Sequence, residues 1–229
     1  MSTPRFQLWS SVGKKLLTGV TGLALMGFIV THLLGNLNLF VGSDAFNGYT
    51  EALHSFGPLL IVAEVGLAAL FLLHAVSAIQ VWRDKKSARA IQNSVVATKG
   101  GPSKQTVFSR TMIVTGTVLL IFLIVHVAQF RFGLFGGLDY TTELDGKKVR
   151  DLYRLVFETF ENPAWVASYM AVMLLLGAHL RHGFWSAFQS VGLLDPKLRP
   201  LAYSVGAGFA LIIALGFFVM PIYLYLLPR

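Results

Sequence analysis

Five stretches of this chain are apolar for long enough to cross a lipid bilayer, and that leaves few folds open. They lie at about residues 16–41, 58–82, 111–133, 163–188 and 201–227. A hydrocarbon layer about 30 Å thick needs roughly 20 helical residues. The pattern predicts an all-α membrane protein whose five transmembrane helices form one domain over residues 1–229. Three runs begin at or just after a proline (Pro58, Pro163, Pro200), a favoured helix-start position. The first run is too long for a secretory signal, and no small-residue cleavage site follows it. Composition agrees: 55% of residues are hydrophobic and 13% charged, against about 25% charged in soluble domains.

The chain carries a formal charge of +8. No nucleic-acid-binding motif accompanies it, so cytoplasmic-loop lysines and arginines are the economical explanation. One side of the membrane would hold Arg5, Lys14 and Lys15, then Arg83, Lys85, Lys86, Arg89, Lys99, Lys104 and Arg110 in and beside the 84–109 connector with its Gly100-Gly101-Pro102 break, then Arg181, Lys197 and Arg199. They outnumber the basic residues expected opposite: Arg131, Lys147, Lys148, Arg150, Arg154 and Arg229. Positive-inside counting therefore places the N-terminus in the cytoplasm and the C-terminus outside. Trp9, Trp82 and Trp185 would mark the inner interface, and Tyr49, Tyr140 and Trp165 the outer one. In the outer segment 139–162, Val149, Leu152, Tyr153, Val156 and Phe160 recur at helical spacing, which predicts a short amphipathic helix. There is no cysteine, so thiolate zinc sites and cysteine-held iron–sulfur clusters are excluded from this chain.

Four of the six histidines fall at matched depths. His32, His74, His126 and His179 each lie about 16 residues, or roughly 24 Å, into their runs. Because successive helices alternate in direction, His32 and His126 share an outer level. His74 and His179 share an inner one, roughly 15–20 Å away. No internal repeat is evident beyond this placement.

Imidazoles inside a membrane are rare and usually functional. A mononuclear zinc or copper site wants three or four donors in one layer, whereas two imidazoles fill both axial positions of a haem iron. Two haem b groups, one per level, therefore fit best, and filled axial positions point to electron transfer. Small residues near the ligands (Gly35, Ser77, Ala78, Gly183) would leave space for a flat macrocycle; Phe130 breaks that trend. The fifth run has no histidine and should pack outside the four-helix, haem-binding bundle. On span four, His182 is an alternative ligand to His179, which matches the depth of the others. Candidate propionate or quinone contacts are Lys14, Lys15, Arg83, Arg181 and His182 inside, and Arg131 and Asn36 outside.

With five spans, four depth-paired histidines and no cysteine, the chain resembles the single-subunit dihaem cytochrome b anchor of succinate dehydrogenase and fumarate reductase. The strings that carry the resemblance are S-S-V-G-K-K at 10–15, T-H-L-L-G-N-L at 31–37, H-L-R-H-G-F-W-S-A-F-Q-S-V-G-L at 179–193 and V-R-D-L-Y at 149–153. The resemblance implies that His32 and His126 hold a distal haem b and His74 and His179 a proximal one. The family's span-four ligand is followed four residues later by glycine, as His179 is by Gly183. Also implied are an FAD flavoprotein subunit and an iron–sulfur subunit on the cytoplasmic side, and a bacterial cytoplasmic membrane. A membrane quinone, with menaquinone the expected form, would be the substrate, and the complex could assemble into a higher oligomer. The implied reaction is succinate oxidation coupled to quinone reduction, as in respiratory complex II and the tricarboxylic acid cycle, or its reverse.

Quinone chemistry needs protons, and Glu64 is the one carboxylate inside an expected span. It is the candidate for quinone or proton work, with burial expected to raise its pKa. His54 is a second outer candidate, and Ser11, Lys14 and His182 are inner ones. Some dihaem fumarate reductases carry a glutamate two residues before the span-four ligand. Here that position is Gly177, which favours succinate oxidation. Two other readings stay open: the cytochrome b of a hydrogenase or formate dehydrogenase, and a transporter whose histidines relay protons.

Overall fold

The computed structural model describes residues 9–88 and 107–228. Arg5, Arg89, Lys99, Lys104, the Gly100-Gly101-Pro102 break and Arg229 lie outside the described residues.

Five long apolar helices dominate. They are α1 (Ser11–Asn36), α3 (Pro58–Ser87), α5 (Met112–Phe130), α7 (Pro163–Ser190) and α8 (Arg199–Leu226). Helix α2 (Ser43–His54), the short α4 (Val107–Arg110), a β1–β2 hairpin (Thr141–Leu144 and Lys147–Arg150) and α6 (Leu152–Phe160) lie between them. The chain is thus an all-α membrane protein with a single small hairpin among the described residues.

Local chemistry sets the helix ends. Ser10 Oγ accepts a hydrogen bond from Gly13 N at 3.1 Å, which starts α1 five residues before the apolar run and draws Lys14 into its first turns. Proline stands in the first turn of α3, α7 and α8, where its missing N–H costs nothing. Asn162 caps α7 through a 2.9 Å bond from Ala164 N. Beyond α1 the chain tightens into a 3-10 turn (Leu37–Phe40).

Helix α3 shows why the bilayer is needed. Leu60, Glu64, Leu67, His74, Ser77 and Asp84 form its sheltered stripe, while Leu59, Ile61, Val62, Val65, Leu72, Leu73, Val76 and Ile79 are exposed. So continuous an apolar face matches hydrocarbon rather than water. The most buried core lies where α1, α6, α7 and α8 meet, around Leu33, Phe160, Tyr169, Met173, Ile213 and Leu224. Helix α8 lies mainly along α7 and also touches α1 and α6, on the flank of the α1, α3, α5 and α7 group. A Cβ on Gly177 would come within 2.9 Å of the Ala214 Cβ. Glycine there lets the two helices approach, and a longer side chain would not fit.

The outer segment differs from the single amphipathic helix expected from its periodicity. Val149 is a buried strand residue, and only Leu152, Tyr153, Val156 and Phe160 belong to α6. The Asp145-Gly146 pair adopts positive φ at both positions (50° and 74°), the geometry of a tight two-residue hairpin. Asn47, 1% exposed on α2, ties this end together. Its amide donates to Asp151 Oδ1 at 2.8 Å, and its oxygen accepts from Tyr153 N at 2.9 Å. Next to it Tyr140 and Arg154 both donate to Glu158 and hold that carboxyl below its usual range.

Replacing the buried Asn47 with leucine should destabilise the protein by about 1–3 kcal/mol, because two part-buried partners lose their bonds. Thermal unfolding in detergent measures this, and an unchanged midpoint would show that the clamp is not shared by the global transition.

Candidate functional site

Four of the long helices form a square. Helix α1 lies beside both α3 and α7, α5 lies beside α7, and α3 and α5 touch only lightly. The diagonal partners are therefore α1 with α5 and α3 with α7. The histidines meet across these diagonals. His32 of α1 faces His126 of α5 with ring centres 5.9 Å apart and planes at 87°. His74 of α3 and His179 of α7 lie near enough to interact electrostatically.

Thr21, which contacts the second pair, and His32, which belongs to the first, are eleven residues apart on α1. That sets the levels about 16 Å apart along the helix. Eleven residues also make close to three turns, so both levels look onto the same side of the helix.

The upper pair is ringed by aromatics. Phe28, at 5.4 Å, and Phe217 of α8, at 5.7 Å, pack on His32. Thus α8, though it adds no histidine, supplies one wall of this level. Phe122 and Phe130 pack on His126. Tyr169 Oη lies 3.5 Å from His126 Nδ1 and donates to the buried Gln129 at 2.8 Å. On His32, Nε2 lies 3.5 Å from Asn36 Nδ2, which also donates to the His32 carbonyl at 2.8 Å.

The lower pair is held by hydroxyls. Thr21 Oγ1 lies 3.2 Å from His74 Nδ1, and Thr115 Oγ1 lies 3.1 Å from His179 Nδ1. Glycine follows each threonine. A Cβ at Gly22 would meet His74 Cε1 at 3.2 Å, and one at Gly116 would meet His179 Cε1 at 3.5 Å. His182 points elsewhere: it packs edge-on to Trp185 at 5.7 Å, in the field of Lys85 and Arg181.

The room-making residues differ from those expected. Gly35 accommodates Tyr49, whose ring would lie 2.6 Å from an added Cβ. Ser77, fully buried, accepts from Thr18 Oγ1 at 2.8 Å on α1. Gly183 faces Met26. Each serves helix packing, because the residue one turn beyond a histidine points to a neighbouring helix rather than across the square. The glycines that do border the imidazoles, Gly22 and Gly116, sit on the neighbouring helices.

The flanking candidates also acquire definite surroundings. Lys14 forms an ion pair with Asp84 of α3. Arg83, Arg181, Lys15 and Ser11 are exposed near the same end. At the opposite end, Glu64 is not the isolated buried carboxylate expected. Arg131, just beyond the end of α5, reaches it through two bonds of 2.8 and 3.2 Å, and the Glu64 side chain is 39% exposed. Asp84 and Arg131 lie within reach because α3 runs past the expected span and α5 ends at Phe130.

Glu64 and Arg131 line a cleft of about 220 Å³ with His54, His126 and Arg150. Arg150, not singled out from sequence, donates to the Phe130 carbonyl at 2.9 Å and so caps α5. Its Nε is buried without a partner.

Sequence reasoning missed the threonines, yet a signal for them exists. V-T-G at 20–22 and V-T-G at 114–116 are each followed by nine residues and then histidine, at His32 and His126. Helices α1 and α5 thus carry the same string. Each supplies a hydroxyl to one level and a histidine to the other.

Among the described residues no three His, Asp or Glu side chains gather as a metal-holding group; the imidazoles converge in twos. The upper pair brings its two ring centres within 5.9 Å of one another, and imidazole nitrogens are ready ligands for a metal ion. Comparison with protein families, with characterised proteins and with solved structures returns no match for this chain.

Proposed function

We propose that this chain is a dihaem cytochrome b membrane anchor, passing electrons between a peripheral iron–sulfur partner and membrane quinone in a succinate:quinone oxidoreductase. The observation that carries the reading is the placing of four imidazoles in two diagonal pairs at two levels, the upper pair with ring centres 5.9 Å apart. His32 and His126 would hold the distal haem b, and His74 and His179 the proximal one. A bound haem would supply one-electron transfer at each level. The donor set fits: neutral imidazoles in an apolar layer, aromatic walls above and glycine-lined edges below.

The chain's own residues do the rest. Buried helices hold each imidazole at fixed depth and exclude water from it. The two levels, about 16 Å apart, lead from one membrane face toward the other. At the hairpin end, Glu64, Arg131, Arg150 and His54 give the cleft beside His126 charged and titratable groups at the edge of the apolar layer. A quinone headgroup reduced there needs two protons, and Glu64 is placed to pass them. At the other end, the Lys14–Asp84 pair and exposed Arg83, Lys85, Lys86 and Arg181 form a basic face. An FAD flavoprotein and an iron–sulfur subunit would dock there on the cytoplasmic side of a bacterial inner membrane. The N-terminus is then inside and the C-terminus outside. The absence of cysteine is consistent with clusters held by a partner. Gly177 packs against Ala214 and leaves no place for a glutamate there, which favours succinate oxidation over fumarate reduction.

The purified chain should show reduced b-type haem bands and two haems per polypeptide. A colourless, folded protein would reject the reading in favour of a proton-relay transporter. A coloured complex without covalent flavin or succinate-linked quinone reduction would move it to another soluble partner, such as a hydrogenase or formate dehydrogenase.

A further inference from the structure

We infer that Thr21 and Thr115 are matched positioning residues for the lower histidine pair, each accepting the Nδ1–H of its histidine so that Nε2 is left as the ligand atom. This rests on the haem reading above and adds to it what orients the proximal ligands.

Each threonine's single proton is already committed within its own helix. Thr21 Oγ1 donates to the Leu17 carbonyl at 2.7 Å. Thr115 Oγ1 has the Thr111 and Met112 carbonyls each at 3.2 Å, and its one proton goes to one of them. A hydroxyl has one proton and two lone pairs, so toward the imidazole each oxygen acts as acceptor. The ring must then carry its proton on Nδ1, which puts the lone pair on Nε2. The glycine after each threonine brings the helix backbone against Cε1, the carbon between the two nitrogens, and limits how the ring can turn. The same V-T-G string on α1 and α5 builds both halves of this arrangement.

The upper pair is held less closely. Its polar neighbours stand at 3.5 Å, and on His32 the nearer nitrogen is Nε2 rather than Nδ1. The two levels therefore differ in how their ligands are held. A ligand that gives its second proton to an acceptor is more basic and favours the more positive metal. The threonines should hold the proximal haem at lower potential than it would otherwise have. The Thr18 backbone also lies near the His74 ring and can substitute for Thr21. Thr115 is consequently the sharper test.

Redox titration of the full chain, purified from membranes and followed by haem absorbance, reads the effect. Thr115→Val should shift one of the two b-type components toward the reduced form by about tenfold, which is about 59 mV for one electron. The other component should stay put, Thr115→Ser should restore the wild-type value, and Thr21→Val added to Thr115→Val should enlarge the shift. If Thr115→Val accumulates poorly, Thr115→Ala provides the same comparison against serine. Two haems with unchanged potentials in the valine or alanine variant would overturn this inference alone, as would equal shifts of both components. A wild-type chain without b-type bands would overturn the haem reading and this inference together.

Discussion

His74→Leu and His179→Leu variants should each lose about half of the haem per chain, and they should lose the same half. His32→Leu and His126→Leu should each lose the other half. The expectation follows from the diagonals: one pair belongs to α3 and α7, the other to α1 and α5. At about 16 Å apart the levels share no ligand, so removing one iron ligand leaves the other pair intact. Leucine also keeps an apolar side chain in an apolar layer, which protects the bundle from the cost of an unpaired polar group. Haem-to-protein ratios and low-temperature absorbance separate the two components. His182→Leu is the control. It should keep both haems, because His182 packs on Trp185 rather than against His74. A chain that keeps both haems without His179 and loses one without His182 would exchange their roles.

The spans and the histidine levels were legible because each depends on a single strong signal. Uninterrupted hydrophobicity identifies a membrane helix with no knowledge of its neighbours. A constant rise of 1.5 Å per residue converts position into depth. Which side of a helix a residue serves was harder. Gly35 and Ser77 sit one turn from histidines, and proximity along the chain suggested that they serve the same ligand. In the fold Gly35 receives Tyr49 and Ser77 meets Thr18, because packing between adjacent helices decides their use. The hairpin was hidden for a related reason. Val149 fits the helical spacing of Leu152, Val156 and Phe160, but the Asp145-Gly146 turn reverses the chain just before it. Helix α2 went unread because its buried side is made of Phe46, Asn47 and Thr50, too polar to stand out beside five membrane runs. The V-T-G repeat acquires meaning only once both threonines are seen against imidazoles on neighbouring helices.

Glu64→Gln should lower quinone turnover by about 10²–10⁴-fold, the usual size of a general acid–base contribution. Dye reduction by the peripheral subunits should remain within about twofold of wild type. The complication is Arg131, which binds Glu64 through two bonds across the otherwise loose α3–α5 side of the square. Losing the carboxylate therefore has two consequences: a proton carrier disappears, and a guanidinium beside His126 is left without its partner. Those consequences separate in a second variant. Arg131→Gln combined with Glu64→Gln removes the stranded charge but restores no proton carrier. If Glu64 acts only by tying α3 to α5, the doubly neutral chain should recover much of the lost turnover, because two amides can still bond across the gap. If Glu64 moves protons, the double variant should stay as slow as the single one, while Glu64→Asp should retain part of the rate. Recovery in the double variant would reduce Glu64 to a structural tie. The protons would then have to reach the cleft through His54, the remaining titratable group on its wall that no haem iron would claim.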